Sequence, residues 1–164
     1  MNYRLATIND IENICSLVNE AINKMESIGI YQWDYLYPTE EDFYNDINNK
    51  TLYVAENEHE IVAIYAISQE CDEEYTKCKW HNPDETACII HRLCVAPTFQ
   101  NKGIGKQILK HIETQLANLA YTSVRLDAYS QNPYALRLYK NNGYEERGFA
   151  DWRKGRFILM EKAL

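Results

Sequence analysis

The stretch that decides the reading is Val95-Ala96-Pro97-Thr98-Phe99-Gln100-Asn101-Lys102-Gly103-Ile104-Gly105-Lys106. The residues before it, Thr86 to Val95, are apolar and rich in branched side chains, as in a buried strand. Pro97 ends that strand, because proline has no N–H to give to a central ladder. Beyond the turn, Ile104, Ile108, Ile112, Leu116 and Leu119 recur at helical spacing and predict a helix over about 103–119. A strand therefore meets a helix through a turn holding two glycines. Such a turn leaves backbone N–H groups unpaired at a helix N-terminus, where the peptide dipoles add partial positive charge. That combination is a seat for a phosphate or diphosphate. A Cβ at Gly103 or Gly105 would hold a phosphate away from the backbone, and Lys102 and Lys106 add charge. By itself a Gly-x-Gly turn fits a tight, ligand-free connection equally well. Two other phosphate motifs are absent. There is no Gly-x-x-x-x-Gly-Lys-Ser/Thr, and Ile108 stands where a dinucleotide fingerprint has its third glycine. A nucleoside-triphosphate or NAD enzyme is therefore disfavoured.

Working outward, Tyr3 to Ala6 reads as a short strand and Thr7 to Asp10 as N-cap chemistry. Ile11, Ile14, Cys15, Val18 and Ile22 predict an amphipathic helix to about Ile28, stopped by Gly29. The run from Tyr31 to Pro38 is aromatic and irregular. Thr39 with Asp42 has the form of a capping box and opens a short helix to about Ile47. Leu52–Glu56 and Glu60–Ser68 read as a hairpin around Asn57-Glu58-His59. Gln69 to Asp84 is polar, acidic and turn-rich, and is expected to be a loop. Ser123–Ala128 reads as a strand and Pro133–Asn141 as a helix closed by Asn142-Gly143. Two final strands are expected at Tyr144–Ala150 and Arg156–Met160. A right-handed crossover would put strands 86–95 and 123–128 in one sheet.

The chain has 164 residues, which suits one domain with a real core. Its net charge of −7 argues against nucleic-acid binding, which needs Lys and Arg to displace counterions, and mildly favours cationic partners. No run of 18 apolar residues is present, so no membrane span is expected. Cys15, Cys71, Cys78, Cys88 and Cys94 are odd in number and show no framework, and the chain opens without a signal peptide. Free thiols in a reducing cytoplasm are the expectation. Cys71, Cys78 and His81 match no zinc spacing, so no metal is expected.

Gln100-x-x-Gly103-x-Gly105 after a strand ending in Val-x-Pro resembles the acetyl-CoA pyrophosphate loop of the GNAT superfamily. Asn132-x-x-Ala135-x-x-Leu138-Tyr139 running into Gly143-Tyr144 resembles that family's second signature. Arg125-Leu126-Asp127 and the opening Arg4-Leu-Ala-Thr7-x-x-Asp10, with Ile14 and Leu17, are similar to it too. The likeness runs through nearly the whole chain in order. It implies a mixed α/β (α+β) fold in a single acyl-CoA N-acyltransferase domain over 1–164. Its central twisted sheet would be mixed, mostly antiparallel, with six to seven strands flanked by about four helices. It implies a transferase moving acetyl from acetyl-CoA to a primary amine by direct attack in a ternary complex. The alternative is a non-catalytic acyl-CoA-binding sensor of the same fold. The acceptor would be an amine-bearing small molecule or peptide, with no nucleic acid or membrane involved and the chain a monomer or homodimer.

The resemblance also implies roles. Backbone at Leu93, Cys94 and Val95 would hold the pantetheine arm and thioester carbonyl. Gln100, Asn101, Lys102, Gly103, Ile104, Gly105 and Lys106 would hold the pyrophosphate. Asn132 would contact pantetheine, although an N-cap is the ordinary role of Asn before a helix. Tyr139 would stand near the sulfur as general acid. His91, on the strand that should face the acetyl group, is a candidate base or water-holder, although a strand His is commonly a satisfied core group. Arg92 should point to the opposite face. Asp127 is first a structural carboxylate and second a substrate contact. Tyr31, Trp33 and Tyr35 are candidates for the acceptor wall, against ordinary packing. Cys94 as a nucleophile would need a paired His.

Overall fold

Two kinds of local chemistry, capped helices and left-handed turns, set where the elements begin and end. The computed structural model describes residues 1–164. Strand pairing runs in the order β1-β2-β3-β4-β5-β7-β6. These strands are Asn2–Leu5 (β1), Leu52–Asn57 (β2), Glu60–Ser68 (β3), Ala87–Val95 (β4), Ser123–Tyr129 (β5), Glu145–Trp152 (β6) and Gly155–Ala163 (β7). The helices are Ile11–Ser27 (α1), Glu40–Asn48 (α2), Glu73–Lys77 (α3), Ile104–Asn118 (α4) and Pro133–Asn141 (α5). β4 and β5 are parallel, and the ladders β1–β2, β2–β3, β5–β7 and β6–β7 are antiparallel. This is the mixed, mostly antiparallel sheet expected from the sequence.

The chain divides into two compact units, residues 1–67 with 92–104 and residues 68–91 with 105–164. In the first, α1 buries Ile11, Ile14, Leu17, Val18, Ala21 and Ile22 in a cluster with Phe43, Leu52, Val54, Ile64 and Cys94. Gly29, at φ 79, closes α1, and Ile30 N–H returns to Met25 O at 2.9 Å. The capping box is present. Thr39 Oγ1 accepts from Asp42 N–H at 3.3 Å, and Thr39 N–H donates to Asp42 Oδ2 at 2.7 Å. Glu58 and His59 have φ 48 and 71, as a two-residue hairpin turn requires.

In the second unit, the parallel ladder joins Ala87–Ile89 to Ser123–Arg125. α4 buries Ile108, Leu109, Ile112 and Leu116. Leu119 leaves the predicted stripe, because α4 ends at Asn118 and Leu119 is 62% exposed. The stretch expected to be a loop at 69–84 holds α3. Acidic Glu73 and Glu74 in its first turn complement the helix dipole, and Tyr75 is buried. Five residues give too short a period to read in advance.

Candidate functional site

The site residues expected from the sequence fall in both units, and each group is built locally. In the first unit, β4 runs into the turn through Arg92, a non-glycine residue at φ 53. Left-handed backbone costs an ordinary side chain about 1–2 kcal/mol. Arg92 is held there by α2. Its Nε donates to Asp46 Oδ2 at 2.7 Å, its Nη2 to Asp46 Oδ1 at 2.5 Å, and its Nη1 to the Tyr37 hydroxyl at 2.7 Å. A bidentate, largely buried pair of this kind fixes orientation as well as charge. No local sequence signal marks it, since Asp46 lies 46 residues away.

After Cys94 and Val95, Ala96 N–H donates to Val62 O at 2.9 Å. Phe99 N–H returns to Ala96 O at 2.8 Å and Gln100 N–H to Pro97 O at 3.3 Å. The Gln100 side-chain amide donates to Val95 O at 3.0 Å and so braces the turn. Asn101 and Gly103 then adopt φ 60 and 79. A Cβ built on Gly103 meets no heavy atom within 4 Å. Conformation, and not crowding by the protein, is what requires glycine there. Asn101, Lys102 and Gly103 are exposed, and the Lys102 Nζ lies 5.2 Å from the Phe99 ring centroid. Ile104, Gly105, Lys106 and Gln107 form the first turn of α4, where N–H groups have no carbonyl partner within the helix.

Burial pushes the Cys94 thiol up to about 12, so it is a protonated core group and no ready nucleophile near neutral pH. In the aromatic run, Trp33 is 9% exposed and belongs to the core cluster, whereas Tyr31 and Tyr35 are 54% and 87% exposed. An open depression of about 750 Å³ in this unit is lined by Ile8, Glu12, Cys15, Asn19, Glu40 and Tyr44, none of them an expected site residue.

In the second unit, a Cβ on Gly105 would lie 3.0 Å from Leu138 Cδ2 on α5. Gly105 therefore has a packing role that the two-glycine turn did not advertise. Lys106 is exposed. Asn132 is buried and caps α5, its Oδ1 accepting from Ala135 N–H at 3.1 Å. Pro133 follows at the first helical position, where a missing N–H is harmless. These two residues set the start of the helix that carries Tyr139. Tyr139 is buried, its ring edge-on to Tyr144 at 5.8 Å. Burial foremost, then Glu113, raises the Tyr144 hydroxyl far above its ordinary value. His91 is half-buried, with its Nε2 3.2 Å from Ser68 Oγ.

Asp127 is the acid that the sequence placed only loosely. The Tyr75 hydroxyl donates to its Oδ2 at 2.9 Å. Burial foremost raises its carboxyl to about 6, although the Tyr75 hydrogen bond works the other way. Tyr75 belongs to the 69–84 segment, which lies on the sheet through Tyr75, Cys78 and Trp80 against Ile89, Ala150 and Leu159. Arg125 clamps it. Its Nη1 donates to Asp84 Oδ1 at 2.6 Å, its Nη2 to Asn82 O at 2.7 Å and its Nε to Glu161 Oε1 at 3.3 Å. Its Cζ stands 4.4 Å from the Trp80 ring centroid. Glu161 also accepts from His81 N–H at 2.8 Å. All five cysteines are free, and no group of three or more His, Cys, Asp and Glu side chains is arranged to hold a metal. No helix is long and apolar enough to cross a membrane.

A glycine turn feeding a helix N-terminus is followed along the chain by an Asn-capped helix that carries a buried tyrosine. A family model described as an acetyltransferase (GNAT) domain matches residues 48–146. The chain is 25% identical over 146 residues to the uncharacterized N-acetyltransferase YesJ of Bacillus subtilis (strain 168), covering 87% of this chain and 81% of that protein. A crystal structure of a GNAT-family acetyltransferase from Streptococcus agalactiae superposes with a TM-score of 0.87 at 21% identity, over 99% of this chain and 95% of that one. The PaiA N-acetyltransferase of Thermoplasma acidophilum, solved in complex with coenzyme A, gives a TM-score of 0.71 at 18% identity over 99% and 98%. The chain belongs to the GNAT acetyltransferase family.

Proposed function

We propose that residues 1–164 work as one N-acetyltransferase domain, moving acetyl from acetyl-CoA to a primary amine by direct attack in a ternary complex. The observation that carries the reading is the turn itself. Asn101 and Gly103 take left-handed conformations immediately before the first turn of α4, and open space lies where a Gly103 Cβ would be. That cradle suits a diphosphate, with Lys102 and Lys106 adding charge. The Thermoplasma acidophilum relative solved with coenzyme A supports the same choice of cosubstrate.

Acetyl-CoA supplies an activated acyl group on sulfur. In this reading, backbone at Leu93, Cys94 and Val95 aligns the pantetheine arm and carbonyl, and Gln100 to Lys106 hold the diphosphate. Asn132 adds a contact to the arm. The amine nitrogen forms a bond to the carbonyl carbon as the C–S bond breaks, its electron pair leaving on sulfur. Tyr139 gives the sulfur a proton, which its phenol can do because the receiving thiolate is strongly basic. His91, through a water, is the proposed route for the proton leaving nitrogen. In balance, an ammonium and a thioester become an amide, a thiol and a proton.

The acceptor is proposed to be cationic. The net charge of −7 favours it, and Tyr31 and Tyr35 present exposed rings, whose faces attract ammonium groups. The free thiols fit a cytoplasmic setting. The deciding experiment follows thiol release from acetyl-CoA over a panel of primary amines. Amine-dependent release supports the transferase. Tight acetyl-CoA binding with no release on any amine would instead mark the non-catalytic sensor.

A further inference from the structure

We infer that Asp127 holds the acceptor's ammonium group and that Tyr75, brought in by the 69–84 segment, is a positioning residue acting through Asp127; this rests on the acyl-transfer reading above.

Asp127 sits in the C-terminal half of β5, within the second unit. Ile89 pairs with Arg125 in the parallel ladder, so strand alternation puts residues 89 and 91 of β4 on the same face as 125 and 127 of β5. His91, expected to serve the reacting amine, therefore shares a face with Asp127. From β7, the register partner of Asp127 is Leu159, which is apolar and fully buried. From the 69–84 segment come the Tyr75 hydroxyl, on Oδ2, and the like charge of Asp72. Arg125 lies two residues back on the same strand, but its guanidinium is committed to Asp84, Asn82 O and Glu161. Glu161, two positions beyond Leu159, is bound up with that arginine and with His81 N–H.

Asp127 is thus a half-buried carboxylate that accepts from the Tyr75 hydroxyl and feels the like charge of Asp72, while the guanidiniums of Arg125 and Arg147 are paired with Glu161. Shielding a charge without a partner is costly, and a cation brought from outside would relieve that cost. The hydroxyl is held in place by the segment. Tyr75 is buried, its ring 5.4 Å from that of Trp80, and Trp80 Nε1–H donates to Tyr75 O at 2.8 Å. Trp80 is stacked beneath Arg125. The segment's fold thus ends in one hydroxyl aimed at one carboxylate.

The sign of the pH effect follows. Only ionised Asp127 attracts an ammonium, so acceptor binding weakens as pH falls through the Asp127 value, near 6. The Tyr75 hydrogen bond favours the ionised form. Tyr75→Phe should therefore move that limb to higher pH.

The test titrates the full-length chain, with its aspartate carboxyls labelled with carbon-13, in the absence and presence of n-pentylammonium or n-pentanol. The Asp127 resonance is assigned with Asp127→Asn. Millimolar n-pentylammonium should lower the Asp127 titration midpoint, n-pentanol should leave it, and Tyr75→Phe should raise it. In kinetics, Asp127→Asn should raise the acceptor KM about tenfold or more, the scale of one hydrogen bond to a charged group, with acetyl-CoA affinity unchanged. An Asp127 midpoint indifferent to n-pentylammonium, or unmoved in a folded Tyr75→Phe variant, would overturn the inference. Acetyl-CoA affinity of the wild-type chain reports separately on the acyl-transfer reading.

Discussion

Two connections enclose β4, the one before it about twice as long as the one after it, and they are built in opposite ways. The turn after β4, from Ala96 to Lys106, is made of its own backbone: short returns at Phe99 and Gln100, then left-handed Asn101 and Gly103. The segment before β4 is made of side chains that arrive from far along the chain. Arg125 reaches Asp84 across 41 residues, Glu161 reaches His81 across 80, and Asp127 meets Tyr75 across 52. The first leaves its mark in neighbouring letters, glycine above all. The second leaves none. The contrast predicts that backbone changes damage the turn and side-chain truncations damage the segment.

The largest effect should come from Arg125→Leu, which removes a buried partner of Glu161 and loosens the segment. Breaking one side of a buried pair costs about 3–5 kcal/mol, to be read from the urea midpoint followed by tryptophan fluorescence. A variant as stable as wild type would mean that the clamp is decorative. Tyr139→Phe should leave stability and acetyl-CoA affinity close to wild type while lowering kcat about 10²–10⁴-fold, the usual range for a general acid. A full-rate variant would detach Tyr139 from the chemistry.

Asp127→Asn should do something rarer and stabilise the fold. The carboxyl titrates near 6 when folded, against an ordinary 3.8. The folded state thus binds that proton more tightly, and its stabilising contribution, complete below about pH 4, is lost as pH rises to 6. Above that, the ionised acid costs about 3 kcal/mol at most. The advantage of the Asn variant in urea should grow between pH 4 and 6 and then level off; a flat difference would contradict the raised value. The smallest effect should be that of Lys102→Ala. Exposed charges contribute up to about 1 kcal/mol, so acetyl-CoA should bind no more than about fivefold more weakly.

Legibility followed the same division. Thr39 with Asp42, the Asn57-Glu58-His59 hairpin and the Gly29 stop were all readable, because each is a local device with its own residue types. The strand–turn–helix unit and the Asn132 cap were readable for the same reason. Strand alternation gives Arg92 a face, but nothing near it in sequence requires a left-handed residue fixed by Asp46. In the sequence Gly105 points to phosphate access alone, while its contact with Leu138 depends on how α4 meets α5. The aromatic run looked uniform. Folding divides it, taking Trp33 into the core and leaving Tyr31 and Tyr35 outside. The pairing of Tyr75 with Asp127 needed the three-dimensional arrangement outright.

The most direct test of the account is a calorimetric titration of acetyl-CoA into wild-type protein and a Gly103→Val variant. Gly103 is exposed and a Cβ there touches nothing, so the variant should keep its fold, with the left-handed backbone costing about 1–2 kcal/mol. If the turn cradles the diphosphate, the wild-type chain binds acetyl-CoA and the variant binds it about tenfold or more weakly, a loss of at least 1.4 kcal/mol. Equal affinity in a folded Gly103→Val protein would contradict the assignment.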